Sequence, residues 1–215
     1  MAQITISGDT SGSVSLVAPA VAGSSVLTLP VATDTLVGKA TTDTLTNKTL
    51  GSGLVAGASL LTSGTAQASI SGTAIDFTGI PSWAKRITVM FNGGSTNGTS
   101  NPQIQLGSGS PTTSGYTGYN ARQGAAVNAY AVNSTGFIVQ GANLATSTFT
   151  GHIIFTIISG NIWICSGIST DTSAINGNCT VAGSISLGGT LDRVRITTVN
   201  GTDTFDAGSI NILYE

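Results

Sequence analysis

The sequence predicts an all-β protein, and both its composition and its alternating residue pattern support that prediction. Only 7% of the 215 residues are charged, against about 25% in an average soluble protein. Long helices favour Glu, Lys and Arg, which are scarce here, whereas the 33 Thr, 26 Ser and 29 Gly residues favour strands and turns. Because 40% of the residues are hydrophobic, the chain can bury a core instead of remaining disordered.

The N-terminal part of the chain predicts a small β module over residues 1–37. Breaks that contain Gly or Pro separate three short alternating runs, at 4–6, 13–17 and 26–30. Strands this short bury little area by themselves. We therefore expect the module to dock on another protein or on further copies of the chain.

Residues 38–64 differ in character, because polar residues surround a few isolated leucines. This pattern predicts an extended linker or a stalk in which several chains intertwine. A short helix from Thr42 to Leu50 is the alternative.

Residues 65–215 predict one larger domain, a jelly-roll-like β-sandwich. Short alternating runs, separated by Gly-marked turns, recur along this region at the spacing typical of sandwich proteins. Gly, Ser, Thr and Asn dominate the stretches 93–101 and 108–124. We therefore predict long loops in both places.

Two turn signals in this domain predict hairpins. The stronger joins the apolar runs 152–158 and 162–165 through a short turn that contains Gly160. The second is Asn200-Gly201, which follows an alternating run and is typical of a type I′ turn.

Catalytic chemistry has few candidate residues in this sequence. The single histidine, His152, opens a hydrophobic run, and no serine lies in a nucleophile-elbow pattern. Glycan hydrolysis needs two facing carboxylates, but Asp171, Asp203 and Asp206 lie in predicted turns, where aspartate usually caps the backbone. No spacing of His, Cys or acidic residues is typical of a metal site. We predict a protein that is not an enzyme and that has no cofactor and no metal.

The charge balance limits the class of partner. The net charge is −2 and basic residues form no patch, which argues against a nucleic-acid partner. No apolar run reaches the roughly 18 residues of a spanning helix, so we expect no membrane insertion. A nearly neutral surface is poorly suited to a soluble monomer and indicates an obligate oligomer.

The two cysteines, Cys165 and Cys179, are predicted to be small buried apolar residues. A disulfide between them requires that their strands lie side by side with suitable geometry.

The best candidate binding residues lie within the predicted loop 108–124. They are Tyr116, Tyr119, Asn120 and Arg122. Tyrosine rings and amides suit sugars, and tyrosine is favoured at protein interfaces. The alternative is that these residues pack between the subunits of an oligomer.

Several stretches resemble parts of tailed-bacteriophage fibre proteins. The run from SVSLVAP at 13–19 to LTLP at 27–30 resembles their N-terminal modules, and TDTLTNKTL at 42–50 looks like an element that recurs in tail fibres. DFTGIP at 76–81 and KRITVMFN at 85–92 are similar to a C-terminal domain of such proteins. So is the closing block at 191–215, LDRVRITTVNGTDTFDAGSINILYE.

The resemblance implies a homotrimeric structural protein of a virion. Its N-terminal module would attach to another virion protein, and its C-terminal β domain would be displayed on the particle surface. The function expected is that of a short tail fibre that contacts the host surface, either a glycan or a protein. A head decoration or spike protein, a capsid fibre with a purely structural role, is the alternative.

Overall fold

The structure is a computed structural model that describes residues 3–7, 9–17, 61–124, 128–172 and 177–215. The chain divides into two compact units, and the division falls between the first two of these ranges and the rest. The third predicted N-terminal strand and the possible helix from Thr42 to Leu50 lie outside the described residues. The proposed boundaries of the three segments therefore stay predictions.

All regular structure in the described residues is β, which confirms the predicted class. The described ranges contain sixteen strands: β1 (Gln3–Ser7), β2 (Ser13–Val17), β3 (Thr62–Ser63), β4 (Gln67–Ala68), β5 (Ala74–Thr78), β6 (Arg86–Thr96), β7 (Pro102–Ser108), β8 (Ser110–Pro111), β9 (Thr117–Gly124), β10 (Asn128–Asn133), β11 (Phe137–Ile138), β12 (Phe149–Ser159), β13 (Ile162–Asp171), β14 (Gly177–Ser186), β15 (Arg193–Thr198) and β16 (Phe205–Tyr214).

The N-terminal unit contains the antiparallel hairpin of β1 and β2, whose register pairs Gln3 with Val17 and Ser7 with Ser13. Two of the three predicted N-terminal strands are therefore confirmed. Ile4 and Ile6 on β1 are exposed. The described part of this unit thus presents apolar side chains that a neighbouring surface could cover.

The C-terminal unit consists of two antiparallel sheets consistent with a β-sandwich. The large sheet has nine strands in the order β10-β9-β14-β13-β12-β6-β16-β3, with β4 also paired to β16. The small sheet has five strands in the order β11-β7-β15-β5, with β8 also paired to β7. β3 lies within the stretch that the sequence assigned to the linker, and it pairs with the C-terminal strand.

The hydrophobic core lies between the two sheets. In β6, β12 and β15, alternate residues point inward and are buried, as the period-2 pattern requires, whereas β7 is buried on both faces. Phe137 of the small sheet and Phe155 of the large sheet meet across the sandwich with ring centroids 5.5 Å apart. The core is thus assembled from strands that are distant in sequence.

The predicted loop at 93–101 is wrong for its first four residues, because β6 continues to Thr96, and it is confirmed for residues 97–101. Gly93 has a φ of +64°, and the register of β6 with its neighbours shifts here, as in a β-bulge. A Cβ on Gly94 would lie 2.6 Å from Cε2 of Phe149. The two glycines therefore bend a strand around an aromatic ring, rather than ending it.

The predicted loop at 108–124 is also wrong over most of its length. β8 pairs with β7, and Thr117–Gly124 forms β9 inside the large sheet. The strand was not predicted because its inward positions carry polar residues, including Asn120 and Arg122. In β9 the inward positions are therefore polar and some outward positions are apolar, which is the reverse of the pattern that predicts a half-buried strand.

The two turn signals have different outcomes. The predicted hairpin of β12 and β13 is confirmed, with Phe155 opposite Cys165. Asn200-Gly201 forms a turn but no hairpin, because β15 belongs to the small sheet and β16 to the large one. Gly201, at a φ of +70°, thus links the two layers of the sandwich.

Candidate functional site

Tyr116 is a core residue. Its hydroxyl accepts a hydrogen bond from the backbone N–H of Leu106 at 2.8 Å and lies 3.0 Å from the carbonyl of Thr112, to which it can donate. Its ring meets Phe137 edge-on at 5.0 Å. Burial raises the pKa of the phenol well above its ordinary value. A side chain held in this way cannot contact a receptor.

Asn120 and Arg122 also point into the sandwich and are buried. The amide nitrogen of Asn120 donates to the carbonyl of Ile138 at 3.2 Å. Arg122 forms an ion pair with Asp171 in which both side chains are inaccessible to solvent. The prediction that these residues share one exposed loop with the two tyrosines is therefore wrong.

Asp171 does not lie in a turn, as the sequence suggested, but ends β13 with its side chain buried. Ser169, two residues earlier on the same face, donates to the carbonyl of Val139 at 2.6 Å. Together with Asn120 and Arg122 these side chains form a polar layer inside one end of the sandwich. The buried ion pair between Asp171 and Arg122 compensates both charges inside the fold, so these residues have a structural role.

Tyr119 differs from the other three predicted residues, because it lies on the outer face of β9 and is 57% exposed. The neighbouring edge strand β10 carries a second tyrosine, Tyr130, which is 84% exposed. The register of the two strands pairs Tyr130 with Ala121 and Val132 with Tyr119. The tyrosines are thus diagonal neighbours on one face, a separation that aromatic side chains can span.

The two tyrosines border a shallow depression in the large sheet. Its lining includes small or short side chains of β9 and β14, namely Ala121, Thr180 and Ala182. Sequence reasoning missed Tyr130, although the alternation in NAYAVN at 128–133 indicates a strand with its tyrosine and valine on one side.

The outer face around this depression is uncharged. The outward positions of β9, β13 and β14, and the described ones of β10, carry Thr, Ser, Asn, Gln, Ala, Ile, Tyr and Val only. Ile164 and Ile168 are partly exposed there. His152 faces the same side on β12, opposite Ile168. The histidine is therefore a solvent-facing residue of this sheet.

Of the two remaining acidic candidates, Asp203 accepts hydrogen bonds in a turn and Asp206 is exposed on a strand. Asp203 accepts hydrogen bonds from the backbone N–H of Ser100 at 2.9 Å and from the side-chain amide of Asn200 at 2.7 Å. It thus caps a turn, as predicted. Asp206 was also predicted to lie in a turn, but it is an exposed residue of β16.

Two kinds of feature, a metal-binding cluster and a membrane-spanning helix, are absent from the described ranges. No group of three or more His, Cys, Asp or Glu side chains that could hold a metal ion occurs there. In the same part of the chain, no helix has the length and apolar character needed to cross a membrane.

Comparisons of the chain with protein-family models, with curated proteins and with solved structures found no match in any of the three sets.

Cys165 and Cys179 are free and buried. Their strands β13 and β14 are neighbours, but the register places Cys165 opposite Gly183 and Cys179 opposite Ser169. The two thiols are therefore offset along the strands and form no disulfide.

Both thiols should be unreactive in the folded protein. Burial raises the pKa of each thiol, so the nucleophilic thiolate is scarce at pH 8, where an exposed cysteine is partly ionised. We expect Ellman's reagent to label neither cysteine in native buffer at pH 8 and both in denaturant. Rapid labelling of one cysteine without denaturant would contradict this arrangement.

Proposed function

We propose that this chain is a non-enzymatic structural protein of a bacteriophage virion, a short trimeric tail fibre whose C-terminal β domain contacts the host surface. Its working form would be a homotrimer on the particle surface. The N-terminal module would dock on another virion protein, and the C-terminal domain would have a jelly-roll-like connectivity.

One observation supports this proposal most strongly: the stretches that resemble fibre proteins are neighbours in the fold. The segment 85–92 falls on β6 and the block 191–215 contains β16, and these two strands pair. The segment 76–81 begins on β5, which pairs with β15 of the same closing block. Segments more than 100 residues apart thus pair with each other in both sheets of the domain. This pairing supports the interpretation that the resembling stretches belong to one unit.

The part of the chain between these stretches, residues 93–190, builds the other half of the large sheet. Strands β9, β10, β13 and β14 all come from this middle part, and they carry the uncharged outer face with Tyr119 and Tyr130. One part of the domain thus resembles fibre proteins, and the other part carries an exposed aromatic face. This combination suits a domain that is displayed on a particle. Three copies held together would strengthen weak contacts through multivalency.

The proposal is tested first by assembly state and location. Sedimentation of the full chain at micromolar concentration should give a trimer, and gold-labelled antibody should mark the tail of the virion. A monomer would contradict the trimer, and absence of label from purified particles would overturn the virion assignment.

Adsorption separates the tail fibre from the alternative, a head decoration or spike protein. The purified chain should bind host cells and reduce the number of infective centres when added before the virus. Label on the head together with no effect on adsorption would favour the decoration protein. Bovine serum albumin at equal concentration controls for non-specific coating.

A further inference from the structure

We propose that the depression between Tyr119 and Tyr130 binds a neutral sugar ring. The inference deepens the proposed function and rests on it for the biological source of the ligand, a glycan of the host surface. The binding chemistry itself follows from the side chains at the site.

The exposure of the two rings is the first argument. An aromatic side chain that is 84% exposed on a sheet face, such as Tyr130, leaves apolar area in water that a ligand can cover. Tyr119, at 57% exposure, offers a second ring within diagonal reach. Each ring combines an apolar face with a polar hydroxyl, which matches the C–H and O–H groups of a pyranose.

The floor of the depression leaves space for a ring. Ala121 and Ala182 have no side-chain atoms beyond Cβ, and Thr180 directs its hydroxyl to the carbonyl of Ala121 at 3.3 Å. The small side chains between the tyrosines therefore leave room for the C–H face of a pyranose to lie against the aromatic rings. The oxygen of Thr180 keeps a lone pair that can accept a hydrogen bond.

Polar groups lie beside the depression. Gln123 follows Ala121 on the same face of β9 and pairs with Asn178 of β14. Both side chains are exposed. Amides supply donors and acceptors together, which suits hydroxyl groups that act as both.

The absence of charge selects the class of sugar. The outward positions of β9, β13 and β14, and the described ones of β10, have no Lys, Arg, Asp or Glu. An anionic sugar would lose hydration at such a surface without gaining an ionic partner. Neutral hexoses are therefore expected to bind better than uronic acids.

The test uses the full chain and a defined set of probes. Neutral hexasaccharides of glucose, mannose and galactose are compared with hexagalacturonate by saturation-transfer NMR and calorimetry. We expect at least one neutral probe to bind, with the anionic probe at least about tenfold weaker. Tyr119→Ala and Tyr130→Ala should each lower the affinity about tenfold, because each removes one stacking ring.

Matched variants control the experiment. Tyr130→Phe keeps the ring and should retain most of the affinity, whereas Ile158→Ala removes an exposed apolar group elsewhere on the domain and should change nothing. The proposal is overturned if no neutral probe binds or if both alanine variants bind normally. It is also overturned if Tyr130→Ala dissociates the oligomer, because the face would then be a subunit contact.

The failures of the two proposals are distinguishable. Normal adsorption to host cells by both alanine variants, with no sugar binding, would leave the tail-fibre proposal standing without this site. Sugar binding by a chain that is absent from virions would support the sugar site and overturn the tail-fibre proposal.

Discussion

Replacing Asp171 with alanine should lower the free energy of unfolding by about 3–5 kcal/mol. The carboxylate pairs with Arg122 where both side chains are inaccessible to solvent, so its removal leaves a guanidinium charge inside the sandwich. Water cannot solvate this charge without opening the end of the domain. Urea unfolding followed by circular dichroism should show a lower midpoint.

A double variant separates the cost of a buried charge from the loss of packing. Arg122→Met combined with Asp171→Leu removes both charges and keeps apolar volume, and we expect it to lose no more than about 2 kcal/mol. Asp203→Ala is a matched control, since it removes an aspartate that accepts turn hydrogen bonds, and it should cost about 1 kcal/mol. An Asp171→Ala variant as stable as the parent chain would contradict the buried ion pair.

Replacing Phe137 with alanine should lower the free energy of unfolding by about 3–5 kcal/mol. Phe137 is fully buried and contacts Tyr116 at 5.0 Å and Phe155 at 5.5 Å between ring centroids. It thereby joins the short strand β11 of the small sheet to the large sheet. Its loss leaves a cavity between the layers, because the adjacent strand β7 and the facing strand β12 are each hydrogen-bonded on both sides and cannot close it.

Thermal unfolding measures this effect, and Tyr130→Ala is the matched control. Tyr130 is also an aromatic residue, on the edge strand β10 of the large sheet, but it is 84% exposed. Its replacement should change stability by about 0.5 kcal/mol or less. Equal effects of the two substitutions would mean that Phe137 does not belong to the core.

Part of this architecture follows from local sequence. The scarcity of Glu, Lys and Arg and the abundance of Thr and Gly predict an all-β chain, and the structure confirms it. The hairpin of β12 and β13 was predictable because its strands alternate clearly and its turn is short. Both features depend on neighbouring residues only.

Other features depend on partners far along the chain. Gly93 and Gly94 have the composition of a turn, but they lie in a bulge of β6, where Phe149, about 55 residues away, packs against Gly94. Asn200-Gly201 can form a turn between two strands of one sheet or between strands of two sheets. It joins two layers here because β15 pairs in the small sheet and β16 pairs in the large sheet. Local geometry cannot distinguish these cases.

The candidate site shows the same division most clearly. Sequence alone determined that Tyr116, Tyr119, Asn120 and Arg122 lie close along one stretch of polar and aromatic residues. The tertiary structure decided that Tyr119 faces outward beside Tyr130, while the other three are buried. In a strand, successive side chains point to opposite faces. Which of the two faces is buried therefore depends on which one the second sheet covers. Here Asp171 and the carbonyl of Ile138 pair with the polar side chains inside, and the apolar ring of Tyr119 remains outside.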